Sequence, residues 1–310
     1  MPRLAMTAAP LWSLFGLLIR SELRLPFAPV RDDGSEPDVT VRFGALPDLG
    51  GGIRACDGES LQFEAPEAGR YWIGRGREIV VDPAPGASER NLRVFLLGSA
   101  FGALLHQRGI LPLHANALVI EGRAIAFMGR SGAGKSTLAA WFRDRGHTVL
   151  ADDVCAIDLQ SGEARVLPGV PRLRLWKDAL QRSGRSPGDF EPSFDGQDKF
   201  DVPAPEALPA VAAPLAALYV LEEGEGGASI EPLGRSEATE ALIAHTYRGR
   251  CIPLIGASAR HFAACLELGR QVPVHRVRRA KDFAAFERTA QALESHARGL
   301  LAERVGPACA

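Results

Sequence analysis

The sequence predicts an α/β layer architecture joined to a smaller β-rich N-terminal part. Three observations carry this. GRSGAGKST (Gly129–Thr137) stands between an apolar strand pattern and a helix pattern. Strand patterns alternate with helix patterns on either side of that glycine-rich loop. Before residue 88, short runs of alternating polar and apolar residues are broken by Pro and Gly clusters. The division expected is a β-rich domain over 1–87, a larger domain over 88–300 and a tail over 301–310.

The elements follow in order. LWSLFGLLI (Leu11 to Ile19) is an apolar stretch of nine residues. A bilayer span needs about 20, and no small-residue cleavage site follows, so it reads as a buried strand or helix. Asp38–Leu46, Leu61–Ala65 and Tyr71–Pro83 alternate as strands of a small antiparallel sheet. Ser88 is an N-cap candidate. Apolar residues at 92, 95, 96, 100, 103 and 104 give the helix after it one apolar face, and Gly109 closes it. ANALVI, EGR and AIAFMG read as strand, turn and strand, and TLAAWF opens a helix. TVLADDVCAIDL reads as one strand, followed by a turn at Gln160–Glu163. Residues 180–210, dense in Pro, Gly and Asp, read as a long irregular loop. Ala212 to Glu222 is a buried strand. Two or three helices and a strand at Gln271–Arg279 complete the chain, and no internal repeat is present.

Composition excludes several classes. Lys and Arg number 36 against 37 Asp and Glu, a net charge of −1. Phosphate-backbone binders are usually basic overall, so no nucleic-acid partner is expected. Five cysteines, an odd number with no CxxC pair, argue against a disulfide framework or a structural zinc site. Free thiols fit a cytoplasmic protein with no membrane association. A homo-oligomer is compatible with all of this.

The glycine-rich loop fits G-x-x-x-x-G-K-[ST]. Glycines let successive N–H groups turn inward as an anion nest, and the next helix adds its N-terminus. Gly129, Ser131, Gly132, Ala133, Gly134, Lys135, Ser136 and Thr137 are therefore the candidate nucleotide-binding residues. Lys135 would reach the terminal phosphates, and the Ser136 hydroxyl would reach Mg²⁺. Asp152 and Asp153 end an apolar strand, the sheet edge where ligands gather. One carboxylate there can hold Mg²⁺ while the other takes a proton from an attacking hydroxyl. His114 can orient such an aspartate. His147 reads as structural, and Trp141 and Trp176 as core. Arg172 and Arg174 share one side of a strand and can hold phosphate or carboxylate oxygens, although a solvent-facing edge explains them equally. Lys199, in the polar loop, can reach substrate, with a surface lysine as the default reading. Arg276, Arg278 and Arg279 form either a solvated strand face or a nucleotide-contacting edge.

Residues 113–154, LHANALVIEGRAIAFMGRSGAGKSTLAAWFRDRGHTVLADDV, resemble the catalytic core of bacterial HPr kinase/phosphorylase. His114 lies 21 residues before Lys135, and Asp152 lies 17 after it, as in that family. The resemblance implies a P-loop kinase core of the HPr kinase C-terminal type, a mixed sheet flanked by helices. It implies Asp152 as general base toward a serine hydroxyl, His114 as its assistant, Ser136 and Asp153 as Mg²⁺ ligands, and ATP as donor. PGVPRLRLWKDAL (Pro168–Leu180) replaces that enzyme's E-I-R-G-L-G type signature. The layout is more similar to the HPr-kinase-like lasso-peptide kinases, through IRSELRLP, PLHANA, PRLRLW and VPVHRVRR. That implies a precursor peptide as acceptor, phosphorylated on a C-terminal serine. Three alternatives stand beside it: a kinase or phosphorylase of the HPr carrier protein, a P-loop NTPase switch, and a binding module with a vestigial loop.

Overall fold

The computed structural model describes residues 9–204, 211–225, 227–280 and 283–304. It is a mixed α/β structure. Strands β1 (Leu11–Leu14) and β2 (Leu17–Ser21) form a hairpin over the first apolar stretch. With β3 (Val39–Phe43), β4 (Ile53–Ala55), β5 (Ser60–Ala65), β6 (Gly69–Gly74) and β7 (Glu78–Pro83) they form a seven-stranded sheet in the order β1-β2-β3-β7-β6-β5-β4. The sheet is mixed rather than antiparallel: β3 runs parallel to both β2 and β7. The segment 22–38 is long enough to bring the chain back in the same direction, which a tight hairpin cannot do.

Helix α1 (Glu89–Phe95) is capped by Ser88, whose side chain accepts from the Asn91 N–H. It passes through a π-turn at Leu96–Ala100 into α2 (Phe101–Gln107). Gly98 and Gly102 leave a notch filled by Tyr247. A Cβ at either position would lie within 3 Å of the Tyr247 side chain. The helix shares one apolar core with the first sheet, and that core extends to Val154, Ala156 and Tyr247.

The central sheet comprises β8 (Leu111–Leu113), β9 (Ala115–Ile120), β10 (Arg123–Gly129), β11 (Thr148–Ala151), β12 (Cys155–Asp158) and β13 (Arg165–Val166), with three later strands. Helix α3 (Lys135–Arg143) follows β10. The apparent single strand over 148–159 is two strands with different partners. β11 pairs with β9, whereas β12 pairs with β8 and β13. The break falls at Asp153, whose φ is 73°.

Residues 177–203 are more ordered than their composition suggests. β14 (Arg172–Trp176) runs into α4 (Lys177–Arg182), and β15 (Glu191–Pro192) and β16 (Lys199–Pro203) complete a three-stranded sheet in the order β14-β16-β15. Residues 205–210 of the expected loop lie outside the described residues. Leu173, Leu175, Phe200 and Val202 form the buried face of this sheet, packed with Ala139 and Ala140 of α3. Trp141 is buried as expected, but Trp176 is 46% exposed, because alternation puts it on the opposite face with Arg172 and Arg174.

The long strand β17 (Ala213–Glu223) runs parallel to β10 and β19 (Val274–Arg279), and β18 (Ser229–Pro232) closes that edge against β19. Helices α5 (Arg235–Ala244), α6 (Ser258–Gln271) and α7 (Phe283–Arg304) complete the chain. α7 carries on past residue 301, where a tail was expected, and residues 305–310 lie outside the described residues. On β9 and β10, Leu118, Ile125 and Phe127 pack with α3 and α7, while Ala117, Ala126 and Met128 pack with α5 and α6. Each large side chain buried this way contributes about 1.5–3 kcal/mol. Among the described residues no helix is long and apolar enough to cross a membrane.

Two buried imidazoles bear on stability. Burial pushes His106 and His275 down to about 4, so both stay neutral in the folded chain. The unfolded chain takes up those protons nearer pH 6.5. Their contribution is therefore intact above pH 6.5 and lost as pH falls toward 4. The urea midpoint should drop between pH 7.5 and pH 5, and the drop should be smaller in His106→Gln. An unchanged drop in that variant would remove His106 from the account.

Candidate active site

β10, β17 and β19 are parallel, so Gly129, Glu223 and Arg279 arrive at one sheet edge. The glycine-rich loop leaves β10 there and ends at the first turn of α3. Gly134 caps that helix at φ 82°, and a Cβ on it would lie 2.6 Å from Nη2 of Arg279. That Arg279 nitrogen donates to the Ala133 carbonyl at 2.6 Å. The basic cluster of β19 therefore divides. Arg279 is buried against the loop, whereas Arg276 and Arg278 pair with glutamates at the surface.

Lys135 is buried. Its Nζ donates to the carbonyls of Gly129 (2.8 Å) and Arg130 (3.3 Å) and to Nε2 of His114 (3.1 Å). An ammonium only donates, so Nε2 of His114 accepts and Nδ1 carries the proton. Nδ1 then faces Asp153, 3.2 Å from its carbonyl and 3.3 Å from Oδ1. Burial and the Lys135 charge push His114 below its usual range, which keeps it neutral. Burial also lowers Lys135, opposed by the two aspartates.

The aspartates differ sharply. Asp152 is buried, and its Oδ1 accepts from Asn116 Nδ2 (2.5 Å) and Ser136 Oγ (3.3 Å). Its Oδ2 accepts from the Arg174 N–H (2.5 Å). Burial raises its pKa, against the pull of Lys199. Asp153 is partly exposed, and Arg174 stands 3.5 Å from its Oδ2. Its pKa is lowered: His114, Arg174 and Lys199 together outweigh burial, the largest single influence. The Ser136 hydroxyl thus meets Asp152, while Asp153 meets His114. Sequence reasoning grouped Ser136 with Asp153 as metal ligands; both line one cavity, while the hydrogen bond of the Ser136 hydroxyl goes to Asp152.

Two cavities flank the loop. One, of about 330 Å³, is lined by His114, Asn116, Lys135, Ser136, Asp153 and Lys199 among others. Asp152 is not on its wall. The other, of about 870 Å³, lies between Arg130–Ala133, the end of β17, His245 and Arg279. Arg172 lines neither: it pairs with Asp201 beside a third cavity of about 490 Å³ and lines a small one with Asp152, Asp153 and Arg174. His147 is structural, 2.9 Å from Glu294 of α7. Asn116 was missed in the sequence, although its place two residues after His114 on a strand was a usable signal.

The loop fits a polyphosphate, since Gly129, Gly132 and Gly134 hold it at positive φ and the N-terminus of α3 stands behind it. Among the described residues no three His, Cys, Asp or Glu side chains gather as a metal cage. Mg²⁺ does not require one, because it keeps waters and phosphate oxygens as ligands. Ser136, Asp152 and the buried Asn116 Oδ1, which has no partner, are the kind of oxygen set it takes.

No family model matches the chain, and no curated protein matches it. Among solved structures it is similar to the HPr(Ser) kinase/phosphatase from Coxiella burnetii. The identity is 15% and the TM-score 0.35, over 63% of this chain and 93% of that one.

Gly134→Ala should cost about 1 kcal/mol or more, through its positive φ and the contact with Arg279. Urea unfolding of Gly134→Ala, Arg279→Ala and the double variant checks this. Strict additivity would show that the two residues do not compete for space.

Proposed function

We propose that this protein is a Mg²⁺-dependent kinase that moves the γ-phosphoryl group of ATP to a hydroxyl of a peptide or small protein. The observation that supports it most is the convergence of the loop, Lys135, Ser136 and a His114–Asp153 pair on one cleft. The loop amides and Lys135 hold the triphosphate. Lys135 must exchange its carbonyl contacts for phosphate oxygens when the donor enters. Ser136 and Asp152 would hold Mg²⁺. The ion, when bound, supplies charge neutralisation on the phosphate oxygens.

Two assignments from the sequence exchange places in this reading. Asp152 already accepts from three donors and is absent from the cleft wall, so it suits the metal side. Asp153 lines the cleft and suits the acceptor side. It accepts the hydroxyl proton as the acceptor oxygen bonds to phosphorus and the bond to the β-phosphate oxygen breaks, leaving ADP. A carboxylate held below its usual range is a modest base, but a loose transition state asks mainly for orientation of the hydroxyl. Neutral His114 fixes that carboxylate. Arg174 braces its other oxygen, and Arg172, paired with Asp201, stands next to it on the same face of β14. The acceptor favoured by the chain's resemblance is the C-terminal serine of a lasso-type precursor peptide.

Mass spectrometry after incubation with ATP and Mg²⁺ tests this, with precursor peptides and HPr side by side. An 80 Da gain on a serine is the expected result, and nucleotide hydrolysis alone would overturn it. Lys135→Ala should abolish donor use. Asp153→Asn should cut transfer at least 100-fold with nucleotide affinity retained, since asparagine tolerates the left-handed backbone at that position.

A further inference from the structure

Lys199 opens β16 and stands directly opposite Trp176 of β14. Alternation along both strands puts Lys199 and Asp201 on one face with Arg172, Arg174 and Trp176, while the other face is buried against α3. Lys199 and Trp176 line the same cleft as Lys135, Ser136 and Asp153. The Lys199 ammonium lies 5.8 Å from the Trp176 ring centroid, within cation–π range. Among the described residues it makes no hydrogen bond and no ion pair. Its neighbours are all engaged: Lys135 by two carbonyls and His114, Arg172 by Asp201, and Arg174 by Asp153. A half-exposed tryptophan thus holds an unengaged cation over a cleft whose other cations are occupied.

We propose that Lys199 is a second phosphate-binding cation of this cleft, a catalytic residue that contacts the terminal phosphoryl group of the donor from the wall opposite Lys135; this rests on the nucleotide use proposed above. A phosphoryl group in transit carries its charge on three equatorial oxygens, and the glycine-rich loop can reach them from one side only. The acceptor-side wall is built from β14 and β16, and among the described residues Lys199 is the cation there that no carboxylate holds. It lines one cavity with His114, Lys135, Ser136 and Asp153, which places it beside those groups rather than at the outer surface.

The test uses the full chain and calorimetric binding of two probes with Mg²⁺, ADP and the imido-bridged ATP analogue. In Lys199→Met the triphosphate should bind about tenfold more weakly, the size of one charge-assisted contact. ADP affinity should change less than about twofold, and Lys199→Arg should restore most of the loss. Equal loss for both probes, or no loss for either, overturns the proposal. Thermal melting of the variants checks that the fold is kept. If the selective loss appears but the wild-type chain phosphorylates no acceptor, the kinase reading fails and Lys199 keeps its phosphate contact. If the wild-type chain transfers phosphate and Lys199→Met shows no selective loss, only the role of Lys199 fails. If the wild-type chain binds neither probe, both fail.

Discussion

The site depends on one buried carboxylate. Asp152 accepts hydrogen bonds from β9 through Asn116, from α3 through Ser136, and from the β14 backbone at Arg174. Burying a charge without partners would cost several kcal/mol. Three donors from three elements recover that cost only if all three are in place. Meeting them ends β11 and starts β12 on other partners, with Asp153 turned into the left-handed region between. Such a conformation in a non-glycine residue persists only when its surroundings dictate it. One ion therefore sets the first turn of α3, the seat of the three-stranded sheet and the direction of the second aspartate.

Charge near the site is balanced locally, so the net charge of −1 says little about it. Lys135, Arg172, Arg174 and Lys199 stand among Asp152, Asp153 and Asp201. Lys135 meets main-chain carbonyls, which are weaker partners than phosphate oxygens. An incoming polyanion therefore exchanges good contacts for better ones and does not have to break an ion pair at Lys135. Neutral His114 belongs to the same balance, since a third positive group between Lys135 and Arg174 would cost more than the Asp153 contact returns.

The glycine-rich loop and its flanking strand and helix were legible in the sequence because their backbone demands fix residue type and spacing. The aspartate pair was legible as a pair. Its division was not, because the direction of Asp152 depends on a backbone donor at Arg174, twenty-two residues further on. Asn116 was hidden in an apolar-looking strand, although it stands two residues after His114 and lines the same cavity. Trp176 was read by type rather than by position, and its alternation with Leu173 and Leu175 already assigned it to the arginine face. The segment around Lys199 looked irregular because Pro, Gly and Asp dominate it, yet KFDVP (Lys199–Pro203) has the two-residue period of a strand. The parallel placement of β3 was out of reach, since it depends on how a long connection returns.

The notch at Gly98 and Gly102 has a mechanical side. The Tyr247 ring fills it, and the Tyr247 N–H is bonded to Pro112 at the end of the central sheet. The His114 N–H is bonded in turn to His245, two residues away. The helix of the first sheet and His114 are thus fastened to a single three-residue strap. Opening of that helix cannot leave the strap undisturbed, so amide exchange at 96–102 and at 113–114 belongs to one cooperative unit. The first sheet and its helix then act as ballast for the site, and a chain lacking them would lose order at His114 before any residue of the glycine-rich loop was touched.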